Sequence, residues 1–246
     1  MNTDELVAIA CPKVRDLGWS YYFAPETFAR GETLGLDGLS FYFMGRGGVL
    51  GDVESNVVTS AFGYFEPTLI DTMWTAGSNI VAPRVAGRAY VECAADFGRS
   101  RLANVDGLEA FCEAADAVNT AADPTGLALY SAAACEPFAD DAPARAMQLL
   151  ALLREFRGSA HLIALRVSGI SASIANAIQR PDDLAMFGWD ASQFAAITDA
   201  DRAALVVAEA LTERLARDAY ATLDEAGRDA FMVGLNGIEA ALSQPS

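Results

Sequence analysis

The chain is short of basic residues. Its 246 residues include 17 lysines and arginines against 33 aspartates and glutamates, and Lys13 is the only lysine. A formal net charge of −16 gives a surface that repels phosphate backbones and anionic lipid headgroups unless the few cations are clustered. The composition therefore disfavours nucleic acids and membranes as partners.

Histidine and paired cysteines are almost missing as well. His161 is the only histidine, which excludes a metal site built from several histidines. None of the four cysteines lies in a C-x-x-C pair, which favours free, buried thiols in a reducing compartment. The chain also lacks the G-x-S-x-G and H-E-x-x-H motifs. We expect neither a metal nor a cofactor.

Long apolar runs are absent too. No run reaches the roughly 18 residues that cross a bilayer, and the acidic start MNTDELVAIA lacks the basic region of a secretory signal. Since 52% of the residues are hydrophobic, the chain is able to bury a substantial core. We therefore expect a soluble, cytoplasmic protein.

Helix signals recur along the whole chain and predict a mainly α fold of roughly a dozen helices, with at most one small sheet. Thr3, Thr198 and a capping box at residues 222–225 mark predicted helix starts. Residues 39–44, LSFYFM, fit either a strand or a buried helix. The glycine-rich residues 45–51 that follow indicate a plain loop, because they lack the pattern of a phosphate-binding loop.

A turn near residues 122–125 divides the chain into an aromatic-rich helical part, 1–122, and a second part, 123–246. In the second part, residues 149–180 predict two or three short helices broken at Gly158 and Gly169. The Val-Ser-Gly-Ile-Ser link there is typical of a helix-turn-helix. The last two helices are amphipathic, which predicts packing on their own domain or a homodimer through these C-terminal helices.

The charged stretch around His161 is the first candidate site. Arg154, Arg157 and His161 follow one another at spacings of three and four residues, so they share one face if the helix continues through Gly158. Arginine beside histidine favours the neutral imidazole and suits a bound carboxylate. The pattern predicts the cationic end of a ligand pocket; the alternative is a cluster that ties two helices together.

Aromatic residues concentrated in the first half fit either a core or the wall of a small-molecule pocket. Arg46, which follows the Phe-Tyr-Phe of residues 41–43, offers a further cation. The wall residues predicted to bind the ligand are Tyr22, Tyr42, Phe62, Tyr64 and Phe65.

Six motifs in a fixed order carry a family resemblance. They are residues 22–26 (YFAPE), 35–38 (GLDG), 41–46 (FYFMGR), 49–51 (VLG), 57–67 (VVTSAFGYFEP) and 152–161 (LLREFRGSAH). The set resembles a SalK-type, helix-turn-helix-like family of actinobacterial proteins over nearly the whole chain. The resemblance implies a mainly helical fold with a degenerate winged-helix part towards the C-terminus, akin to MarR-type regulators, and implies no reaction. Phe156 stands where the family pattern has a second histidine, and residues 194–198 leave little room for a wing.

Three functions follow from these patterns. The first is binding of a small aromatic or acidic organic ligand in a pocket between the two parts. The second is a cofactor-independent enzyme in which His161 is the acid–base group and Glu155 its partner. The third is a ligand-responsive transcriptional regulator. The reading helix of such a regulator would offer only Asn176, Gln179 and Arg180, which is a thin supply of groups for bases and phosphates.

Overall fold

The structure is a computed structural model, and it describes residues 1–243. The described residues form α-helices and two short 3-10 helices without any β-strand, which confirms the predicted mainly α fold. The α-helices are α1 (Thr3–Leu17), α2 (Pro25–Thr33), α3 (Gly38–Gly48), α4 (Ser55–Phe62), α5 (Pro67–Ser78), α6 (Pro83–Arg101), α7 (Leu108–Ala121), α8 (Ala128–Ala133), α9 (Ala142–Val167), α10 (Ala172–Gln179), α11 (Asp199–Tyr220) and α12 (Glu225–Leu242).

Helix α9 is the centre of the fold. It is one helix of 26 residues, about 39 Å long, so the predicted break at Gly158 was wrong. A glycine inside a helix costs only about 1 kcal/mol. That cost is small beside the burial of α9 against α1, α6, α7, α8 and α11. Tertiary packing thus keeps Arg154, Arg157 and His161 on one continuous helix.

The glycine-rich segment after residue 44 is the second correction. Residues 39–44 are helical, and α3 continues to Gly48 instead of opening into a loop. A Cβ atom at Gly48 would lie 2.1 Å from the carbonyl oxygen of Pro83 and 2.8 Å from the backbone nitrogen of Gly87. Glycine therefore serves close backbone packing of α3 on α6.

Helix caps agree with the sequence at α11 and differ at two other helices. Thr198 and Asp201 form a capping box at the start of α11. Asp224 caps α12, so the predicted box at residues 222–225 was wrong. Asn2, rather than Thr3, caps α1. In both differing cases an acidic or amide side chain takes the cap, in keeping with the strong preference for Asp and Asn there.

The predicted helix-turn-helix link is present between α9 and α10. Gly169 adopts a left-handed φ of +76°, and the side chain of Ser171 caps α10. The two helix axes differ by 110°, within the range of about 90–120° for this motif. Two 3-10 helices, Pro181–Phe187 and Ala191–Phe194, lie between α10 and α11.

The parts predicted at 1–122 and 123–246 share one apolar core. Helix α6 of the first part packs on α9, and α7 packs on α9 and α12. The division into two domains stays a prediction. The homodimer through the C-terminal helices also stays a prediction. Helix α12 packs on its own chain, against α1 and α7. Over residues 1–243 no single helix is long and apolar enough to span a bilayer, and α9 with α10 meets that test only as a bent pair.

Candidate functional site

A cavity of about 560 Å³ lies between the N-terminal helices and the helix-turn-helix. Its volume falls in the range of small-molecule sites, about 300–1,000 Å³. All nine residues predicted from the sequence to bind the ligand line this cavity. They are Tyr22, Tyr42, Arg46, Phe62, Tyr64, Phe65, Arg154, Arg157 and His161.

Three further aromatic residues complete the walls, and of these sequence reasoning missed Phe187. Trp19 and Phe23 are 40% and 36% exposed, so they stand at the open side of the cavity. Phe187 ends the 3-10 helix that follows α10, and its ring centroid lies 4.6 Å from that of Phe65. The segment after the helix-turn-helix thus contributes to the wall of the cavity.

A buried ion cluster stands behind the aromatic wall. The guanidinium of Arg46 donates to both oxygens of Glu155 at 2.9 Å. Arg154 Nη1 and the Tyr22 hydroxyl donate to Glu155 Oε1 at 3.0 Å and 2.7 Å. Burial alone would raise the pKa of Glu155, but Arg46 and Arg154 outweigh it and hold the pKa at about 2.

Glu155, the predicted partner of a catalytic His161, does not line the main cavity. A carboxylate that stays ionised and accepts hydrogen bonds from two arginines is a poor proton donor or acceptor at neutral pH. Its geometry suits the positioning of Arg46 and Arg154.

The buried charges around the cavity leave one positive charge uncompensated. Arg46, Arg154 and Arg157 carry +3, and Glu155 and Glu209 carry −2, which leaves +1. Arg157 Nη2 donates to Glu209 Oε2 at 2.6 Å, and the side chain of Arg157 is only 8% exposed. Other charged lining residues form neutral pairs: Arg15 with Asp16, and Arg180 with Asp183. The cavity is therefore cationic within a strongly anionic chain.

Four buried nitrogen atoms in the cavity lining lack a hydrogen-bond partner among the described residues. They are Arg154 Nε, Arg157 Nε, His161 Nε2 and Asn176 Nδ2. Native proteins pair nearly all buried polar groups, because each unpaired one costs about 1–3 kcal/mol. Four such atoms belong to residues that line one cavity, so a polar ligand that reaches them gains hydrogen bonds.

His161 lines this cavity, and its Nε2 atom is buried without a hydrogen-bond partner among the described residues. The Thr212 hydroxyl donates to the Ala208 carbonyl oxygen at 2.7 Å, and the same hydroxyl oxygen lies 2.7 Å from His161 Nδ1. The Thr212 proton is already used, so this network assigns the imidazole proton to Nδ1 and leaves Nε2 as an acceptor. Burial is the main cause that lowers the pKa of His161 to about 4; Glu209, 3.7 Å from Nε2, opposes it, and Arg157 and Arg15 add to the lowering.

The protonation of His161 gives a testable pH dependence. The folded-state pKa lies below the ordinary value of 6.5, so the neutral ring contributes stability above pH 6.5. That contribution is lost as the pH falls towards 4. In ¹⁵N-histidine NMR the single imidazole should stay neutral down to about pH 4. Urea unfolding at successive pH values should show a smaller acid-side loss for His161→Phe than for the wild type. An imidazole that titrates near 6.5 would contradict this assignment.

The candidate base-contacting side chains at α10 and its C-terminal cap line the cavity or pair with a carboxylate of the protein. Asn176 is 4% exposed and lines the cavity. Gln179 Nε2 donates to Glu209 Oε1 at 2.8 Å, and Arg180 pairs with Asp183. The groups that a reading helix would direct at bases thus face the cavity or a neighbouring carboxylate.

In the described part of the chain, no group of three or more His, Cys, Asp or Glu side chains is placed to hold a metal ion. A family model described as a helix-turn-helix family matches residues 12–245. No curated protein and no solved structure matches the chain.

Proposed function

This chain belongs to the helix-turn-helix family, and we propose that it uses this scaffold to bind a small aromatic carboxylate in the cavity beside α9. The one excess positive charge among the buried and half-buried groups around the cavity carries the proposal. Aromatic walls with a few convergent polar groups are typical of sites for organic ligands. One excess positive charge suits a monoanion.

Arg154 and Arg157 are the arginines best placed to hold the carboxylate. Arg46 is committed to Glu155 through two hydrogen bonds, and its guanidinium lies 4.4 Å from the ring centroid of Phe62. Arg154 and Arg157 each keep an unpartnered Nε, and their spacing of three residues places them on one face of α9. Charge-assisted bonds from these two guanidinium groups would hold the carboxylate at the cationic end.

Paired acids and amides test this proposal. We expect isothermal titration with benzoates, cinnamates and naphthoates to find acids that bind, with the matching carboxamides at least about tenfold weaker. Arg157→Leu should weaken acid binding by about 30-fold or more, because one charged partner is lost, and should leave amide binding unchanged.

Arg166→Leu is the matched control, since Arg166 lies on the same helix but is exposed and does not line the cavity. Its affinities should equal those of the wild type. Equal binding of acids and amides, or no binding of any acid, would overturn the proposal.

A ligand-responsive regulator is the second candidate, and membership of the helix-turn-helix family favours it. The finer likeness to SalK-type and MarR-type proteins stays a prediction. An electrophoretic shift of genomic DNA fragments at low salt that changes on addition of an aromatic acid would support the regulator. No shift at low salt would remove it.

An enzyme is the third candidate. His161 lines the cavity and its Nε2 is an unpartnered acceptor, which is the group that a general base requires, although a pKa of about 4 makes it a weak base. Incubation with the bound acids separates the cases, because a binding protein returns its ligand unchanged.

A cytoplasmic location also stays a proposal, supported by four free cysteines.

A further inference from the structure

We propose that the ligand carries a hydroxyl group in addition to its carboxylate, and that His161 Nε2 accepts the hydroxyl proton. This inference rests on the proposed function and concerns the groups around His161. The inference depends on the unpartnered buried atoms near His161. One of them accepts a hydrogen bond and the others donate one.

His161 Nε2 is an acceptor because of a fixed chain of hydrogen bonds. Thr212 is fully buried, and its hydroxyl proton is committed to the backbone carbonyl of Ala208. His161 must then donate through Nδ1. If His161 served only to tie α9 to α11, the bond to Thr212 would suffice, and no ring nitrogen need be buried without a partner in the cavity lining.

The unpartnered neighbours in the lining are donors. Asn176 Nδ2 and Arg157 Nε both lack an acceptor, and the two residues as a whole are 4% and 6% exposed. The ligand must therefore donate one hydrogen bond to His161 and accept others from Asn176 or Arg157. A hydroxyl group has one donor and two acceptor positions, which matches this set.

Other small groups match less well. A second carboxylate would only accept, and it would place a negative charge beside Glu209 and the imidazole lone pair. An ammonium group would only donate, and it would face Arg157 and leave the amide of Asn176 unpaired. A methyl or methoxy group would give His161 no proton. The charged groups that face His161 are Arg157 from α9, Arg15 from α1 and Glu209 from α11.

Matched ligands test the hydroxyl directly. The probes are hydroxynaphthoate isomers together with the corresponding unsubstituted and methoxy naphthoates, titrated calorimetrically into the wild type and His161→Phe. In the wild type the best hydroxylated isomer should bind about tenfold tighter than its unsubstituted and methoxy analogues. In His161→Phe, which keeps a ring of similar size, the difference should fall to within about twofold.

A second measurement uses the unmodified protein, so it holds even if His161→Phe does not fold. The chain has a single histidine, and ¹⁵N-histidine labelling therefore reports one imidazole. Free protein at neutral pH should show a protonated Nδ1 and an unprotonated Nε2. The hydroxylated acid should shift the Nε2 resonance, whereas the unsubstituted acid should leave it close to its free position.

The outcomes separate the two proposals. Hydroxylated and unsubstituted acids that bind equally, with an unmoved Nε2 resonance, would overturn the hydroxyl inference and leave the carboxylate site standing. A doubly protonated imidazole at neutral pH would also overturn the inference. If no aromatic acid binds at all, the proposed function fails and the inference fails with it.

Discussion

Glu155→Gln is expected to destabilise the protein by about 3–5 kcal/mol, since breaking a buried ion pair leaves an uncompensated charge in the interior. The side chain of Glu155 is 8% exposed, and those of Arg46 and Arg154 are 11% and 22% exposed. The negative charge of Glu155 partly neutralises the positive charges of these two arginines. Glutamine keeps the shape but removes the charge and one acceptor oxygen. We expect urea unfolding to show the loss and the melting temperature to fall by about 10 °C.

Glu92→Gln is the control for this substitution. Glu92 also pairs with an arginine, Arg30, at 2.7 Å, but its side chain is 61% exposed. An exposed pair is screened by water, so its loss should cost less than about 1 kcal/mol. If the two variants lose the same stability, the buried arginines of the cavity do not depend on Glu155.

Gly158→Leu is expected to weaken the binding of aromatic acids by about a hundredfold or more while the protein stays folded. Gly158 lines the cavity on α9, next to Arg157 and one turn from Arg154. A Cβ atom there would meet nothing within 4 Å, so the leucine side chain has room to enter the cavity where the carboxylate would lie. Calorimetry with the acids that bind the wild type measures the loss.

Gly158→Ala is the matched control at the same position. It adds a single methyl group in open space and replaces glycine inside a helix, so it should stabilise the protein by about 0.5–1 kcal/mol. Its affinity for the acids should stay close to that of the wild type. Unchanged binding by Gly158→Leu would place the ligand elsewhere.

Local signals in the sequence predicted most of the helices, and tertiary packing explains the errors. Thr198 and Gly169 act through their own backbone neighbours, so their roles as cap and left-handed turn could be predicted. Gly48 and Gly158 could not be placed in this way. Gly48 is held inside α3 by close contact with α6. Helix α9 continues through Gly158 because α9 is buried on several sides.

The candidate site was predicted in part for the same reason. The spacing of Arg154, Arg157 and His161 puts all three on one helix face, which a helical period reveals. Glu209 was missed because it comes from α11, 52 residues beyond Arg157. A signal was present nearby: Thr212 shares a buried stripe with Leu205 and Ala208, and a polar residue at such a position requires a hydrogen-bond partner.

The scaffold also explains why family membership alone does not decide between binding and regulation. In this chain α10 keeps the angle of a helix-turn-helix while Asn176 lines the cavity and Gln179 bonds to Glu209. A ligand that contacts Arg157, Asn176 and Glu209 would touch α9, α10 and α11 together. The same cavity is therefore compatible with simple binding and with a ligand-controlled change in α10.

Native mass spectrometry tests the central claim, an arginine-flanked aromatic cavity that holds one organic monoanion. Wild type, Arg157→Leu and Gly158→Leu would be incubated with the same mixture of aromatic acids and compared under identical conditions. The wild type should retain one acid per chain, and both variants should appear predominantly as the bare protein. A wild-type spectrum without any bound acid, or the same adduct at equal intensity in all three proteins, would contradict the account.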